Sequence, residues 1–272
     1  MYADYHTHTT YSTDGKQTIF QLCEAALLRG VNEICLTDHY EPYSPIPEFR
    51  VPPSRDLLTD LEKARAKFPK LSIKLGFELT DSPEHHDEIK AWMDDWPLDY
   101  FLLSQHTVDG IDPFFPEYFE KYDNQRKPAY EAYALAALES LRSWNAGEVD
   151  CLAHLGYVGR YAPFPPDTRA FVWRDAPDLI DEILRHIISK EIVLEINTKS
   201  YMDISQPTPG ADIIKRYREL GGEFVMFGSD AHKAEQVAYA FDIAHALALR
   251  VGLKYTMKFN KREKVIGRID EE

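Results

Sequence analysis

The feature that most constrains the fold is an alternation of short apolar runs with amphipathic helical patterns along the chain. The apolar runs predict seven strands, at residues 2–6, 31–37, 71–77, 99–104, 149–153, 192–197 and 223–229. Helical spacing of apolar residues predicts six helices, at residues 17–30, 54–68, 129–144, 178–189, 211–222 and 235–252. Such an alternation is typical of an α/β fold with a parallel sheet covered by helices. Seven units in 272 residues favour a closed or nearly closed barrel, similar to a TIM barrel, in a single domain over 1–272.

Polar and ionisable side chains follow every predicted strand at its carboxyl end. In chain order they are His6 and His8, Asp38 and His39, Glu78, His106, His154, Asn197, and Asp230 and His232, with Asp14 in the first loop. Because the carboxyl ends of parallel strands meet at one mouth of a barrel, six of the ten histidines would converge on one pocket. Imidazole and carboxylate are ligands for Zn, Mn and Fe, so this pattern predicts a metal cluster.

The number of candidate ligands indicates more than one ion. One metal takes about four to six ligands, and nine candidates converge here. Two or three divalent ions that share a bridging carboxylate fit this number. Paired ions lower the pKa of a bound water and stabilise attacking and leaving groups, which is hydrolytic phosphoester or amide chemistry. A purely structural site is the alternative, but such a site would be closed and small.

Charge and cysteine usage limit the partners and the compartment. The formal net charge is −14 and no Lys/Arg-rich run is present, so we expect a small phosphorylated substrate and no long nucleic acid. The three cysteines are widely spaced and form no Cys-x-x-Cys motif, which predicts free thiols in a reducing cytoplasm. No apolar run approaches the roughly 20 residues that cross a bilayer, and the first strand begins too early for a signal peptide, so we expect no membrane association.

Six short motifs together resemble those of the polymerase and histidinol phosphatase family, the PHP superfamily. In the order of that family they are "HTH" (6–8), "TDH" (37–39), "GFE" (76–78), "SQH" (104–106), "AH" (153–154) and "SDAH" (229–232). The resemblance extends over nearly the whole chain. It implies a distorted (β/α)7 barrel with a trinuclear metal site, in agreement with the seven strands counted above.

The resemblance also implies how the ligands divide among three ions, with zinc favoured and Mn or Fe as alternatives. The first ion would take His6, His8, Glu78 and Asp230; the second would share Glu78 and take His106 and His154; the third would take Asp14, His39 and His232. Some relatives have histidine where this chain has Asp14, which affects the third metal, and Asp14 in "TDG" also suits a simple turn.

The segments at 194–201 and 227–241 are similar to the histidinol-phosphate phosphatase branch of that family. This similarity implies hydrolysis of L-histidinol phosphate to L-histidinol and phosphate in histidine biosynthesis. We expect a hydroxide bridging two ions to attack phosphorus in line, with no covalent phosphoenzyme.

Five residues are expected to act on the substrate. Arg160 would clamp the phosphate by a bidentate contact, and Lys199 is a second candidate for that contact. Asp230 and His232 are the expected catalytic residues among the ligands. Asp38 would serve either as an acid or as an orienter of a ligand.

The remaining rings and histidines divide into two groups. Aromatic residues on two proline-rich loops could cover the imidazole of the substrate: Tyr40, Tyr43, Phe49, Tyr157, Tyr161, Phe164 and Trp173. No site role is predicted for the histidines on helical stretches, which are His85, His86, His186 and His245.

Three other functions remain open from the sequence. The chain could be a phosphoesterase that acts on nucleotides or short oligonucleotides, or a non-catalytic metal-binding module. A metal-dependent amidohydrolase is a third reading, but such barrels generally have eight strands and often a carboxylated lysine, for which no strand here offers a candidate.

Overall fold

The protein is described here from a computed structural model that covers residues 2–80 and 85–271. Its strands are β1 (Tyr2–Thr7), β2 (Val31–Tyr40), β3 (Ser72–Thr80), β4 (Tyr100–Ser104), β5 (Cys151–Leu152), β6 (Val193–Asn197), β7 (Phe224–Gly228), β8 (Tyr255–Asn260) and β9 (Glu263–Arg268). Its α-helices are α1 (Ile19–Leu28), α2 (Asp56–Lys67), α3 (His86–Asp94), α4 (Pro116–Glu120), α5 (Arg126–Ser143), α6 (Val158–Tyr161), α7 (Pro177–Ser189), α8 (Ala211–Glu219) and α9 (Phe241–Arg250).

All nine strands belong to one sheet in chain order. Strands β1 to β8 pair in parallel, and β9 pairs antiparallel with β8 at the end of the sheet. The predicted α/β class and its seven parallel strands are confirmed, whereas β8 and β9 were not predicted. The predicted helix at 235–252 is shorter in the structure, because a 3-10 turn at Ala234–Gln236 precedes α9.

The barrel closes only near its mouth, where β1 meets the segment that follows β7. A single parallel bridge joins Thr7 to Ala231, and the His8 N–H donates to the Ala231 carbonyl at 2.9 Å. Deeper in the seam, the buried Asp4 carboxylate accepts hydrogen bonds from the Ser229 N–H and the Ala238 N–H, both at 2.9 Å. Asp4 therefore links β1 to the β7 side with side-chain bonds where ladder bonds are missing, which makes the barrel distorted.

Two apolar cores hold the barrel together. The larger one lies between the strands and the surrounding helices, where amphipathic helices such as α7 bury one face. The smaller one fills the barrel interior below the site and includes Tyr5, Tyr100, Met257 and Phe259. The barrel is therefore a packed core rather than a pore.

The β8–β9 hairpin closes the end of the barrel opposite the mouth. The Phe259 N–H donates to the Tyr5 hydroxyl at 2.9 Å, and the Lys261 N–H donates to the Asp99 carboxylate at 2.9 Å. Met257 and Phe259 on β8 contribute to the interior core. The hairpin thus adds apolar surface to the interior core.

Local sequence signals set the connections that bring each strand to the mouth. Helix α1 begins with a capping box, in which Thr18 and Gln21 bond reciprocally through their backbone N–H groups and side chains. Gly30 follows with a φ of +74°, a conformation that favours glycine, and β2 starts at the next residue. Within the described part of the chain, no helix is both long enough and apolar enough to traverse a bilayer.

Candidate metal centre

The predicted ligands converge at the mouth of the barrel, around a cavity of about 260 Å³. Alternation along β1 places His6 and His8 on one face, and the parallel register sets His39 of β2 beside Glu78 of β3. Nine of the predicted ligands and phosphate-binding residues line the cavity: Asp14, His39, Glu78, His106, His154, Arg160, Lys199, Asp230 and His232. His6 and His8 are fully buried against this set.

Glu78 lies at the centre and directs its two oxygens to two different groups. Its Oε2 lies 3.1 Å from His6 Nε2 and 3.3 Å from His8 Nε2. Its Oε1 lies 2.7 Å from His154 Nε2 and 3.3 Å from His106 Nε2. Burial alone would raise the pKa of Glu78, but the surrounding imidazoles hold it well below its ordinary value. The carboxylate is therefore ionised and placed to bridge two positions.

Asp230 completes the first group from the end of β7. Its Oδ1 lies 3.5 Å from His8 Nε2 and 4.0 Å from His6 Nε2. The residue has a φ of +52°, a strained conformation for a residue with a side chain. Strain at this residue is consistent with a side chain whose direction is set by the site.

Asp14, the predicted ligand with an alternative explanation as a turn residue, points into the third group. Its Oδ2 lies 2.7 Å from His232 Nε2 and 3.8 Å from His39 Nε2. Burial would raise its pKa, but His39 and His232 lower it far below the ordinary value. Its Oδ1 is buried without a hydrogen-bond partner within the described residues. These contacts exceed what a turn residue needs.

The arrangement fits metal ions on geometric grounds. Two ligand atoms about 2.0–2.1 Å from one tetrahedral ion lie about 3.3–3.4 Å apart. The separations here match: 3.1 Å between His6 Nε2 and His8 Nε2, and 3.4 Å between His106 Nε2 and His154 Nε2. The described residues form four groups whose ligand atoms lie close enough to hold an ion, and none contains a thiolate. Such donor sets suit Zn, Mn and Fe.

Two carboxylates that were not predicted from the sequence contact the Nδ1 atoms of predicted histidine ligands. Glu195 Oε1 lies 2.6 Å from His6 Nδ1, and its Oε2 accepts from the His154 N–H at 2.6 Å. Glu41 Oε1 lies 2.8 Å from His106 Nδ1 and 3.1 Å from His39 Nδ1. Carboxylates on the second ring nitrogen fix the tautomer and orientation of a ligating histidine.

A sequence signal for both residues existed in the period of two along the strands. Glu41 is two residues after His39, and Glu195 is two residues before Asn197, so each shares a face with a residue already singled out. Asn197 contacts the same network, because its Nδ2 donates to Glu195 Oε1 at 3.2 Å.

Asp38 lies outside the cavity lining and is fully buried. Its carboxylate accepts from the Thr9 N–H at 2.6 Å, from the Thr9 hydroxyl at 2.9 Å and from the Ser12 hydroxyl at 3.0 Å. The Ser12 Oγ also lies 3.1 Å from His8 Nδ1. Of the two expected roles for Asp38, this geometry favours the orienter over the acid.

Arg160 and Lys199 stand on the Asp230 side of the cavity. Arg160 Nη1 donates to Asp230 Oδ2 at 3.2 Å. Lys199 Nζ donates to the Asp230 carbonyl at 2.5 Å and lies 2.7 Å from His232 Nδ1. Both cations thus border the predicted ligands, as a phosphate-binding role requires.

Of the seven loop aromatics, Phe49, Tyr157 and Tyr161 line the cavity. The others pack elsewhere; for example, Tyr40 lies against Trp92. The histidines without a predicted role lie outside the cavity lining: His85, His86, His186 and His245.

Comparison with known proteins agrees with this geometry. The PHP domain family model matches residues 4–199. A histidinol-phosphatase from Lactococcus lactis is 27% identical over 97% of this chain and 98% of its own length. A probable histidinol-phosphatase from Clostridium acetobutylicum is 30% identical over 96% of this chain and 98% of its own length.

A solved structure is similar over the same extent. The histidinol phosphate phosphatase from Lactococcus lactis, in complex with zinc, L-histidinol and phosphate, superposes with a TM-score of 0.84 at 25% identity. The match covers 97% of this chain and 98% of that one. The family model spans well over half of the chain and includes seven of the nine predicted ligands. The chain belongs to the PHP domain family.

Proposed function

We propose that the protein is a metal-dependent phosphomonoesterase that hydrolyses L-histidinol phosphate to L-histidinol and phosphate. One observation carries the proposal: Glu78 directs one oxygen to each of two imidazole groups, in a cavity that Arg160 and Lys199 also line. The end-to-end similarity to histidinol-phosphatases supports the choice of substrate.

The contacts of Glu78, Asp230 and Asp14 support the following division of ligands. His6, His8, Glu78 and Asp230 would hold one ion, Glu78 with His106 and His154 a second, and Asp14 with His39 and His232 a third. Zinc suits the donor set, with Mn or Fe as alternatives. When bound, such ions lower the pKa of water and neutralise charge on the phosphoryl oxygens.

The side chains of this protein bind and orient the reactants around that centre. Arg160 keeps its charge at every relevant pH and uses Nη1 on Asp230, so its other guanidinium N–H groups can donate to a phosphate. Lys199 adds a second positive charge on the same side.

The size of the cavity favours a small ester over a nucleotide. A volume of about 260 Å³ lies below the range of about 300–1,000 Å³ that is typical of sites for drug-sized ligands. A compact amino alcohol phosphate matches this volume better than a nucleoside phosphate does. We place the nucleotide-directed phosphoesterase second for this reason.

The test is phosphate release by protein loaded with zinc or manganese, on L-histidinol phosphate and on a panel of nucleotides and sugar phosphates. We expect a several hundred-fold preference in kcat/KM for L-histidinol phosphate, about 3 kcal/mol of transition-state discrimination, and loss of turnover after chelation. Equal turnover of nucleotides would overturn the substrate assignment. No turnover of any ester by protein with confirmed bound metal would favour the non-catalytic module.

A further inference from the structure

One buried carboxylate in the cavity has no place in the metal centre or in phosphate binding. Asp112 belongs to the loop after β4 and is 4% exposed. Its Oδ1 accepts from the Phe114 N–H at 2.8 Å and from the Tyr157 hydroxyl at 3.2 Å. Its Oδ2 has no hydrogen-bond partner among residues 2–80 and 85–271, although the residue lines the cavity.

The cations of the cavity are not directed to Asp112. Arg160 and Lys199 both contact Asp230, and Asp112 forms no ion pair within the described part of the chain. Burial raises the pKa of Asp112 to about 6, against a lowering effect of His106, so the carboxylate is ionised at neutral pH. A buried carboxylate whose charge faces no cation costs free energy, which a cationic ligand would offset.

The charge of Asp112 also determines which end of a substrate can lie beside this residue. A phosphate dianion is repelled by a carboxylate and is attracted to Arg160 and Lys199, which border the carboxyl ends of β5 to β7. The alcohol part of the ester therefore faces the loop after β4, where Asp112 lies. An alcohol with a positively charged donor gains most from that contact.

Three aromatic rings also line the cavity. The Tyr157 and Tyr161 rings meet at 5.1 Å between centroids, and the Tyr157 ring lies 4.6 Å from the His106 ring. Phe49 borders the cavity from the loop after β2. Aromatic side chains favour a planar ring or a cation as their neighbour.

We propose that Asp112 determines specificity for the leaving alcohol: its Oδ2 accepts a hydrogen bond from a protonated amino group, while Phe49, Tyr157 and Tyr161 cover an aromatic ring of the same alcohol. The substrate class is the phosphate monoesters of small amino alcohols that carry an aromatic ring. This inference rests on the proposed function and extends it to the recognition of the alcohol.

The test compares Asp112→Asn with the wild type on L-histidinol phosphate and on its analogue without the amino group. Asparagine keeps an acceptor for the Phe114 N–H and the Tyr157 hydroxyl but removes the charge. We expect kcat/KM for L-histidinol phosphate to fall about 10- to 100-fold, mainly through KM, and kcat/KM for the analogue to change by about two-fold at most. An equal loss on both substrates, or no loss on either, would overturn the inference.

Asp109→Asn is the matched control, because Asp109 is in the same loop but 65% exposed and paired with Lys121 at 2.7 Å. This variant should have the same kcat/KM as the wild type on both substrates. A preference for L-histidinol phosphate that persists unaltered in Asp112→Asn would overturn the role of Asp112 alone. Failure of the wild type to prefer L-histidinol phosphate over the nucleotide panel would instead overturn the proposed function.

A second measurement does not depend on a variant that folds. In it, the inhibition of wild-type phenyl phosphate hydrolysis is compared between L-histidinol and the same alcohol without its amino group. We expect L-histidinol to inhibit at a concentration at least about ten-fold lower, because only it carries the ammonium group that would donate to Asp112. Equal inhibition by the two alcohols would contradict the proposal.

Discussion

Replacing Glu195 by glutamine should weaken metal binding without removing a ligand. Glu195 is 1% exposed, and its two oxygens bond His6 Nδ1 and the His154 N–H, each at 2.6 Å. Hydrogen bonds to charged groups contribute about 1.5–3 kcal/mol and neutral ones about 0.5–1.5 kcal/mol. Glutamine keeps an acceptor but loses the charge, so we expect a loss of about 1–1.5 kcal/mol at His6. That loss corresponds to a zinc affinity about 5- to 12-fold lower.

The assay is competition for zinc against a chromogenic chelator, with the metal-free melting temperature measured in parallel. The bond to the His154 N–H is weakened too, so the metal-free variant should melt a few degrees lower, at about 2–4 °C per kcal/mol. The control is Glu191→Gln, which changes an exposed carboxylate just before β6 that pairs with Lys264 at 3.0 Å. Zinc affinity of Glu195→Gln equal to that of both the wild type and this control would refute the role of Glu195.

Two further changes test the packing of the site and of the surrounding core. Gly228→Ala should lower the free energy of unfolding in urea by about 1–3 kcal/mol. A Cβ at this position would lie 2.2 Å from Glu195 Oε1 and 2.5 Å from the His6 Cβ. An unchanged free energy of unfolding would contradict this close approach. Burial against Phe227 lowers the pKa of His245 to about 4, from an unfolded value near 6.5. Above pH 6.5 the ring is neutral in the folded and the unfolded protein, so it does not lower stability. As the pH falls from 6.5 to 4, the unfolded protein binds a proton more readily than the folded protein does, and up to about 3 kcal/mol of the free energy of unfolding is lost. The test compares urea unfolding of the wild type and of His245→Phe at pH 7.5 and 4.5. The free energy of unfolding should fall less between these pH values in the variant than in the wild type. An equal fall in both proteins would contradict the prediction.

The order of the barrel strands could be predicted because each strand carries its signal locally. Apolar runs and helical spacing were sufficient for β1 to β7. The prediction stopped at α9, because β8 alternates Lys258 and Asn260 with Met257 and Phe259 and so forms no continuous apolar run. That hairpin is stabilised by long-range contacts, such as those of Tyr5 and Asp99. Such contacts are not visible in a local pattern.

The site was predictable to the extent that its residues end strands. Alternation and the barrel topology bring His6, His8 and Glu78 together, and the structure places them accordingly. Asp112 could not be found in this way, because it comes from a loop whose path depends on a bridge between Val108 and Ile111. No periodicity indicates which residue of such a loop faces a cavity.

Strand β9 is at the end of the sheet, and this position affects the behaviour of the protein at high concentration. Val265 and Ile266 are 49% and 61% exposed on this strand, and an apolar edge strand is a template for pairing with another molecule. Charged residues flank the pair on both sides, with Glu263 and Lys264 before it and Arg268 after it. Their protection is electrostatic and weakens as salt shortens the Debye length. Self-association should therefore increase with ionic strength, so low-salt buffers are the better choice for keeping this protein monodisperse.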